Sequence, residues 1–347
     1  MQRVKRKDSL KSNGFSVPWS SREMVQFRKK ILTWYKANQR DLPWRRTRDP
    51  YAIAVSEIML QQTQVATVIP YYDRWLKRFP TWKTLARASQ EKVLKMWEGL
   101  GYYQRARNLH AAAKQVVKQY REQLPADWEA IYQLPGMGRY TAGAIASIAF
   151  SFQKPVLDGN VIRVLSRLTD LQEPVNVRHV QEKLWQWVEE LVPRKEPGIF
   201  NQALMELGAI VCTKGTPACC LCPLHFLCRA KNPEKLPYKN QKTFFTSRVE
   251  NVAISFNKEV IWMKKQESTQ HWKGLWCFPE IQQIPAGKPW HQLVYSITRY
   301  RVTLRAYFSP FLLPDSKEIP WTQLQKLPMP APHRKLANIL MKERKEY

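Results

Sequence analysis

Five of the six cysteines fall within seventeen residues, in the segment CTKGTPACCLCPLHFLC at 212–228. Disulfide frameworks spread along a chain of this length, whereas cysteines spaced this closely are typical of metal ligation. Cys212, Cys219, Cys222 and Cys228 have six, two and five residues between them, which leaves Cys220 as a spare. Four thiolates could bind either a zinc ion or a [4Fe-4S] cluster, and their number alone does not decide between the two.

Two carboxylates lie where they could transfer a proton or stabilise a cation. Glu57 follows an apolar stretch in DPYAIAVSEIMLQQTQV, and a partly desolvated carboxyl holds a proton more readily, so it could act as a general acid. Asp158 lies in KPVLDGNVIRVL, between an apolar run and a helical one, where a helix N-cap is the simplest role. A second carboxylate facing a cationic intermediate would complete the two-acid chemistry of glycoside cleavage. From these residues alone, a water-exposed Glu57 and a purely capping Asp158 remain open.

The segment LPGMG at 134–138 lies between two helical runs. Gly136 and Gly138 would let the backbone approach a partner closely, and the next helix begins with unpaired N–H groups and the positive end of its dipole. This geometry is suited to a DNA phosphate and predicts a sequence-independent backbone contact. An ordinary helix–turn–helix corner is the alternative.

The overall charge predicts a polyanionic partner. The chain of 347 residues carries 56 Lys and Arg against 28 Asp and Glu, a net charge of +28. An apolar fraction of 44% with 14 Trp excludes a disordered polycation. Residues 1–247 carry 40 positive and 20 negative charges and residues 248–347 carry 16 and 8, so the charge density is nearly even. Unless the whole proteome is basic, both parts are expected to contact nucleic acid.

The sequence predicts neither a membrane span nor an exported protein. The least polar stretch, residues 140–150, is far shorter than the roughly twenty residues that a span needs. The basic N-terminus has no apolar segment behind it, as a secretory signal would require. We therefore expect a cytoplasmic location, associated with the nucleoid in a bacterium.

The predicted organisation is multidomain. Apolar residues recur three and four positions apart from about residue 21 to residue 206, which predicts successive amphipathic helices, with residues 49–79 forming one long run. Short β-type runs with Pro and Gly breaks and one late helix follow a polar, basic stretch. The predicted segments are a basic tail (1–20), an all-α domain (21–232), a linker (233–248), an α+β domain (249–342) and a tail (343–347).

Five longer motifs make the interpretation specific. They are PWRRTRDPYAIAVSEIMLQQTQV, WEGLGYYQRARNLHAAA, LPGMGRYTAGAI, LDGNVIRVLSRL and NQALMELGAIVC. With the cysteine intervals they resemble the MutY-type adenine DNA glycosylases of the helix-hairpin-helix, endonuclease III superfamily, over residues 21–232 without a break. The resemblance implies an all-α helix-hairpin-helix glycosylase domain whose four cysteines bind a [4Fe-4S] cluster.

The resemblance also implies an activity. A monofunctional, monomeric enzyme would bind double-stranded DNA, flip out an adenine mispaired with 8-oxoguanine or guanine, and hydrolyse its glycosidic bond. Glu57 would protonate adenine N7, Asp158 would stabilise the oxocarbenium-like sugar, and Tyr140 and Asn160 would support the site. Related bifunctional enzymes have a Schiff-base lysine at the position of Tyr140, so strand cleavage is not expected.

Further residues match positions that contact DNA in the family. One group would line the adenine pocket: Arg40, Leu42, Trp44, Arg45 and Glu206. A second group would enter or border the base stack, with Gln62 and Leu100 as wedges and Gln61, Thr63 and Tyr102 beside them. Without the resemblance, Leu42 and Trp44 would be assigned to the core and Gln62 to a solvated helix surface.

The C-terminal part resembles the Nudix-like domain with which these enzymes inspect 8-oxoguanine, most clearly in KGLWCFPE at 273–280. No acidic Nudix signature follows, so pyrophosphate hydrolysis is not predicted. The Phe-Ser-His recognition turn of the family is replaced by Ile297, Thr298 and Arg299, of which Thr298 could supply the hydroxyl.

Two other functions remain open at this stage. An endonuclease III-like enzyme for oxidised pyrimidines is disfavoured by Tyr140 and by the second domain. A non-catalytic Fe–S DNA-binding protein would leave Glu57 and Asp158 idle.

Overall fold

The predicted change from helices to strands occurs after Ile210 and before Thr246. A computed structural model describes residues 16–240, 245–267, 272–310 and 313–344. Most of the predicted tail 1–20, part of the linker 233–248 and the last three residues of the tail 343–347 lie outside these ranges. The helices up to Ile210 are α1 (Ser21–Asn38), α2 (Pro50–Leu60), α3 (Val65–Arg78), α4 (Trp82–Arg87), α5 (Gln90–Trp97), α6 (Gln104–Gln119), α7 (Trp128–Tyr132), α8 (Arg139–Phe150), α9 (Gly159–Leu168), α10 (Arg178–Leu191) and α11 (Pro197–Ile210).

The single helical run predicted at 49–79 is wrong. The structure has two helices there, because α2 ends at Leu60 and α3 begins at Val65. Gln62 adopts a left-handed backbone conformation with φ of 56°, which an α-helix cannot contain. The apolar spacing continues through this break, which is why the pattern did not reveal it.

The chain divides into two compact units that do not follow the helix-to-strand change. The first, the helical unit, comprises the described parts of Met1–Asp41, Ala126–Trp128 and Gly138–Gln241. The second, the mixed unit, comprises Leu42–Pro125, Glu129–Met137 and the described parts of Lys242–Tyr347. Helices α2–α6 therefore belong with the C-terminal strands.

The helical unit is built around α1 and α8–α11. A capping box begins α1, with Ser20 and Glu23 each bonding the other's main-chain N–H, and the buried residues of α1 follow at helical spacing. Val17 and Trp19 are also buried in this core. The end of the predicted N-terminal tail is therefore packed rather than free.

The helix α2 is buried along nearly its whole length in the mixed unit. Asp49 caps its N-terminus by accepting hydrogen bonds from the N–H groups of Tyr51 and Ala52, and Pro50 is its first residue. Every residue from Tyr51 to Met59 is buried. In the described part of the chain no helix is both long and apolar enough to cross a bilayer.

The C-terminal part of the mixed unit is α+β, as predicted. One sheet has the order β1-β5-β4, with β1 parallel and β4 antiparallel to β5, and the other has the order β3-β2-β6. Their apolar faces share a core with α12 and α13. The elements are β1 (Thr246–Ile254), β2 (Val260–Lys265), β3 (Trp276–Cys277), β4 (His291–Ile297), β5 (Tyr300–Phe308), β6 (Lys317–Pro320), α12 (Trp321–Leu324) and α13 (Ala331–Glu343).

Candidate active site and cysteine cavity

Glu57 is a buried carboxylate. It lies on α2, in the mixed unit, and is only 5% exposed. The alternative of a glutamate exposed to water on a helix surface is therefore excluded. Burial disfavours the charged form of a carboxyl, and the protonated form is the one that a general acid needs.

Asp158 caps α9 in the helical unit, so its simplest predicted role is confirmed. Its Oδ1 accepts a hydrogen bond from the main-chain N–H of Val161 at 2.8 Å, and its Oδ2 accepts one from Nδ2 of Asn160 at 2.9 Å. Burial raises the pKa of Asp158, while these two hydrogen bonds act in the opposite direction. A desolvated carboxylate with a fixed orientation is also suited to stabilising a developing cation.

Asn160 connects Asp158 to the segment of the first cysteine. Its Oδ1 accepts a hydrogen bond from Nη2 of Arg163 at 2.8 Å, and Nε of Arg163 donates to the main-chain oxygen of Cys212 at 2.7 Å. A Cβ at Gly208 would lie 2.6 Å from the Cβ of Asn160, so only glycine allows α11 to approach here. Asn160 is thus held from two sides.

Tyr140 is the second residue of α8 and is half-buried. Its hydroxyl donates to Sδ of Met205 on α11 at 3.2 Å. The structure therefore places Tyr140 in the same unit as Asp158 and Asn160, at the beginning of the helix that follows the hairpin.

The predicted adenine-pocket residues fall into two groups. In the helical unit, Nη2 of Arg40 lies 2.7 Å from Oε2 of Glu206, whose side chain is 1% exposed. The hydrogen bond to Glu206 is the largest cause that raises the pKa of Arg40. In the mixed unit, Leu42 and Trp44 are 5% and 7% exposed, and Arg45 is half-buried. The structure thus pairs Arg40 with Glu206 and places Leu42 and Trp44 in packed positions.

The predicted wedge residues lie on two turns of the mixed unit. Gln62 is exposed in the Gln62 turn, residues 61–63, and Tyr102 is 51% exposed in the Tyr102 turn, residues 100–102. Leu100, predicted as a wedge, is only 5% exposed. Tyr102 is therefore the exposed side chain of this turn in the described structure, and the wedge role of Leu100 stays a prediction.

Arg105 was not singled out from the sequence, although it lies in the motif WEGLGYYQRARNLHAAA. It is buried, at 8% exposure, and bonds to both of these turns. An arginine two residues into a helix carries no signal that distinguishes it from a solvated one. Its role is visible only in three dimensions.

The glycines of the predicted hairpin have different environments. Gly136 has φ of 79°, and a Cβ there would lie 2.7 Å from the Cβ of Asn108. Gly138 is the N-cap of α8, has no side chain to cap the helix, and would have open space around a Cβ. Gly138 therefore leaves the N-terminus of α8 without a side-chain cap, at the positive end of the helix dipole.

The four predicted ligands line one cavity of about 30 Å³ in the helical unit, and the spare Cys220 does not. Nη1 of Arg167 donates to Sγ of Cys212 at 3.4 Å, and its Nη2 and Nε donate to the main-chain oxygens of Gly215 and Leu236. Burial raises the pKa of Cys222 to about 11 and also raises that of Cys228. Among the described residues, no three His, Cys, Asp or Glu side chains converge on a single metal ion.

Thr298 lies at the tip of the β4–β5 hairpin, with φ of 51°. It lines a cavity of about 310 Å³ in the mixed unit together with Ile297, Leu100 and Tyr102. The predicted recognition turn and the Tyr102 turn therefore meet. The mainly apolar surface of this cavity and its hydroxyl-bearing residues, Thr298 and Tyr102 among them, suit a planar heterocycle.

The chain is similar to known base excision repair proteins. The HhH-GPD superfamily model, described as a base excision DNA repair protein, matches residues 55–190. An adenine DNA glycosylase of Buchnera aphidicola (Acyrthosiphon pisum) is 38% identical over 76% of this chain and 77% of its own length. The human adenine DNA glycosylase is 50% identical over 60% of this chain and 40% of its own length, so this chain matches less than half of it.

Solved structures agree with the fold of the helical residues. A thermostable thymine-DNA glycosylase matches with a TM-score of 0.55 and 31% identity, over 60% of this chain and 96% of its own. An endonuclease III trapped on DNA matches with a TM-score of 0.52 and 22% identity, over 61% of this chain and 97% of its own, which indicates the shared fold.

Proposed function

Because the chain belongs to the adenine DNA glycosylase family, whose members are DNA N-glycosylases of base excision repair, we propose that it removes adenine mispaired with 8-oxoguanine or guanine. Two observations carry this proposal: Glu57 on α2 is buried, and Asp158 at the start of α9 is partly buried with its carboxylate oriented by two hydrogen bonds. Two carboxyls in different environments can take opposite roles. Here Glu57 would be protonated and donate a proton, and Asp158 would be ionised and stabilise positive charge.

The target adenine must leave the helix before it can react, because its glycosidic bond is inaccessible within the base stack. Glu57 then donates its proton to N7 of the adenine. The electrons of the breaking C–N bond move onto the base, which departs as a neutral leaving group. The burial of Glu57 supports this role because it favours the protonated acid.

Asp158 acts on the sugar. As the C–N bond breaks, positive charge develops on the sugar ring, and the carboxylate of Asp158 stabilises it electrostatically. Asn160 and the N–H of Val161 fix the orientation of that carboxylate. A water molecule then adds to the sugar and loses a proton, which leaves an abasic site.

We propose that the enzyme is monofunctional. Strand cleavage by β-elimination needs an amine that forms a Schiff base with the sugar. The residue at the position of that lysine in related enzymes is Tyr140, and no lysine occurs between Lys118 and Lys154. The phenol of Tyr140 can donate a hydrogen bond but cannot form a Schiff base.

We propose a [4Fe-4S] cluster held by Cys212, Cys219, Cys222 and Cys228, because these four thiols surround one cavity while Cys220 does not line it. A zinc ion needs four sulfurs about 2.3 Å from one point, whereas a cluster spaces its four thiolates around a larger body. The cavity surrounded by the four cysteines supports the second arrangement. When bound, the cluster would hold the loop 212–228 in place and position it on DNA.

The mixed unit is proposed to read the opposite strand through a Nudix-like C-terminal domain. The cavity that Thr298 shares with Leu100 and Tyr102 supports this assignment. Thr298 offers a hydroxyl, whereas the family's histidine is absent from the turn. The partner is double-stranded DNA, and we propose a monomer that acts in the cytoplasm at the nucleoid.

The test is a paired-substrate assay under single-turnover conditions, with adenine opposite 8-oxoguanine and adenine opposite guanine. We expect abasic product from both duplexes and strand breaks only after alkali. Glu57→Gln should abolish the product while the duplex is still bound, and Glu189→Gln, on the exposed face of α10, serves as the matched control. Excision of oxidised pyrimidines instead of adenine would identify the endonuclease III-like alternative. A folded wild-type protein that yields no abasic product would refute the proposal.

A further inference from the structure

Arg105 is a buried cation whose partners are almost entirely main-chain oxygens. Its Nη1 donates to the carbonyls of Ile58 at 3.0 Å and Met59 at 2.8 Å, and also to that of Gln61. Its Nη2 donates to Oγ1 of Thr63 at 3.1 Å and to the carbonyls of Leu100 at 3.0 Å and Gly101 at 3.2 Å. One guanidinium therefore joins the end of α2, the Gln62 turn and the Tyr102 turn.

The charge of Arg105 is compensated by helix geometry. Three of its acceptors are carbonyls at the C-terminus of α2, where the helix dipole is negative. The guanidinium carbon also lies 5.3 Å from the ring centre of Trp97 and 5.6 Å from that of Tyr102. Burial lowers the pKa of Arg105 to about 10, which leaves it charged at neutral pH.

Both turns have backbone conformations that need support. Gln62 has φ of 56° and Tyr102 has φ of 47°, and residues other than glycine adopt the left-handed region mainly where the surrounding structure holds them. Both side chains are exposed, so their packing does not fix the turns. Arg105 bonds to the carbonyl of Gln61 and the hydroxyl of Thr63, on either side of Gln62. It also bonds to the carbonyls of Leu100 and Gly101, which immediately precede Tyr102.

We propose that Arg105 is a positioning residue for base flipping, which holds Gln62 and Tyr102 as one rigid wedge and fixes that wedge to the helix that carries Glu57. The inference rests on the proposed function, in which the adenine is flipped out of the stack, and it adds Tyr102 to Gln62 as a side chain that enters the vacated space. Lysine cannot replace Arg105, because its single ammonium cannot reach acceptors on both turns at once.

The test is a double-mutant cycle on adenine release from a mispaired duplex under single-turnover conditions. The proteins are wild type, Gln62→Ala, Arg105→Lys and the double variant, and the same cycle is repeated with Tyr102→Ala. Lys118→Met, which removes an exposed cation from the same helix, is the matched control. Melting temperature and visible absorbance verify that each protein is folded.

We expect Arg105→Lys to slow adenine release about 10- to 100-fold, because a small misplacement of positioning groups is costly. Gln62→Ala should slow the wild type but have little further effect in the Arg105→Lys protein, since the wedge is already misplaced. In the Lys118→Met protein, Gln62→Ala should have its full effect.

Three outcomes would overturn the proposal. The first is a wild-type rate of adenine release for Arg105→Lys. The second is full additivity of the effects of Arg105→Lys and Gln62→Ala on that rate. The third is a Gln62→Ala protein as fast as the wild type. Additivity would show that Arg105 serves only the stability of the fold. If the wild type releases no adenine at all, the proposed function fails, which is a different result from each of these three.

Discussion

Arg40 binds the carboxylate of Glu206 through three hydrogen bonds across 166 residues of sequence: its main-chain N–H and its Nε donate to Oε1 at 2.9 Å each, and its Nη2 donates to Oε2 at 2.7 Å. Glu206 is almost completely buried, whereas Arg40 is partly exposed. Such an arrangement makes the carboxylate dependent on its partner, because a buried charge is tolerated only when it is paired and hydrogen-bonded.

Replacing Arg40 by Met should therefore destabilise the fold. We expect a loss of about 2 kcal/mol, less than for a fully buried ion pair because water reaches Arg40. Lys36→Met is the control, since Lys36 and Glu196 form an exposed pair whose loss should cost less than about 1 kcal/mol. Urea denaturation of both variants measures the difference. Equal losses would show that burial of Glu206 does not depend on Arg40.

Asp158 combines a structural and a chemical role, and two substitutions separate them. Asn can cap a helix as well as Asp can, so Asp158→Asn should leave the free energy of unfolding close to that of the wild type. Asp158→Ala removes the bond to the N–H of Val161 and should cost about 1 kcal/mol. Both should lose adenine release, because neither retains the charge. An active Asp158→Asn protein would show that capping, and not charge, is what the reaction requires.

The hydrogen bond from Asn160 should set the acid limb of the pH–rate profile. Asp158 must be ionised to stabilise a cation, so the rate falls as the pH drops through its pKa, which burial raises above 3.8. The bond from Nδ2 of Asn160 lowers that pKa. Asn160→Ala should therefore move the acid limb to higher pH. A limb at the wild-type position in the variant would mean that another group governs it.

The periodicity of the sequence predicted most helices and strands, because burial of one face imposes its spacing on each element. It also predicted the cap at Asp158 and the four cysteines of one cavity, since both depend on short-range spacing. The same pattern missed the break between α2 and α3, because its left-handed residue is Gln62 rather than glycine. A backbone conformation that is held by hydrogen bonds from distant residues leaves no signal in the local sequence.

The contacts that position the site could not be predicted from the sequence. Arg105 bonds to carbonyls of residues 46 and 47 positions away, and main-chain acceptors belong to every residue type. The packing of Leu100 likewise depends on neighbours that the chain brings together only on folding. A motif thus identifies which residues are concentrated at the site, whereas the structure shows which of them are exposed to a ligand.

The cysteine cavity gives a matched pair of substitutions. Cys222→Ser removes a predicted cluster ligand, whereas Cys220→Ser changes an exposed neighbour that does not line the cavity. We expect Cys222→Ser to lose both its absorbance at about 400 nm and its iron, and Cys220→Ser to retain both. Wild-type protein purified without oxygen is the reference. Zinc in place of iron in that reference would contradict the cluster assignment.

The two hairpin glycines should respond differently to alanine. Gly138→Ala adds a methyl group in open space at the N-terminus of α8, so the free energy of unfolding should change by less than about 0.5 kcal/mol. The methyl group would nevertheless obstruct a phosphate that approaches the first N–H groups of α8. The Kd should therefore rise in parallel for mispaired and fully paired duplexes, because a phosphate contact does not depend on sequence.

Gly136→Ala is the contrasting variant, and it should lose stability. It forces a side chain into a left-handed conformation and against Asn108, at a cost of about 1 kcal/mol or more. Urea denaturation and fluorescence anisotropy with labelled duplex at fixed salt measure the two effects. Salt must be held constant because phosphate contacts weaken steeply as it rises. Wild-type affinity in Gly138→Ala would place the phosphate contact elsewhere on the protein.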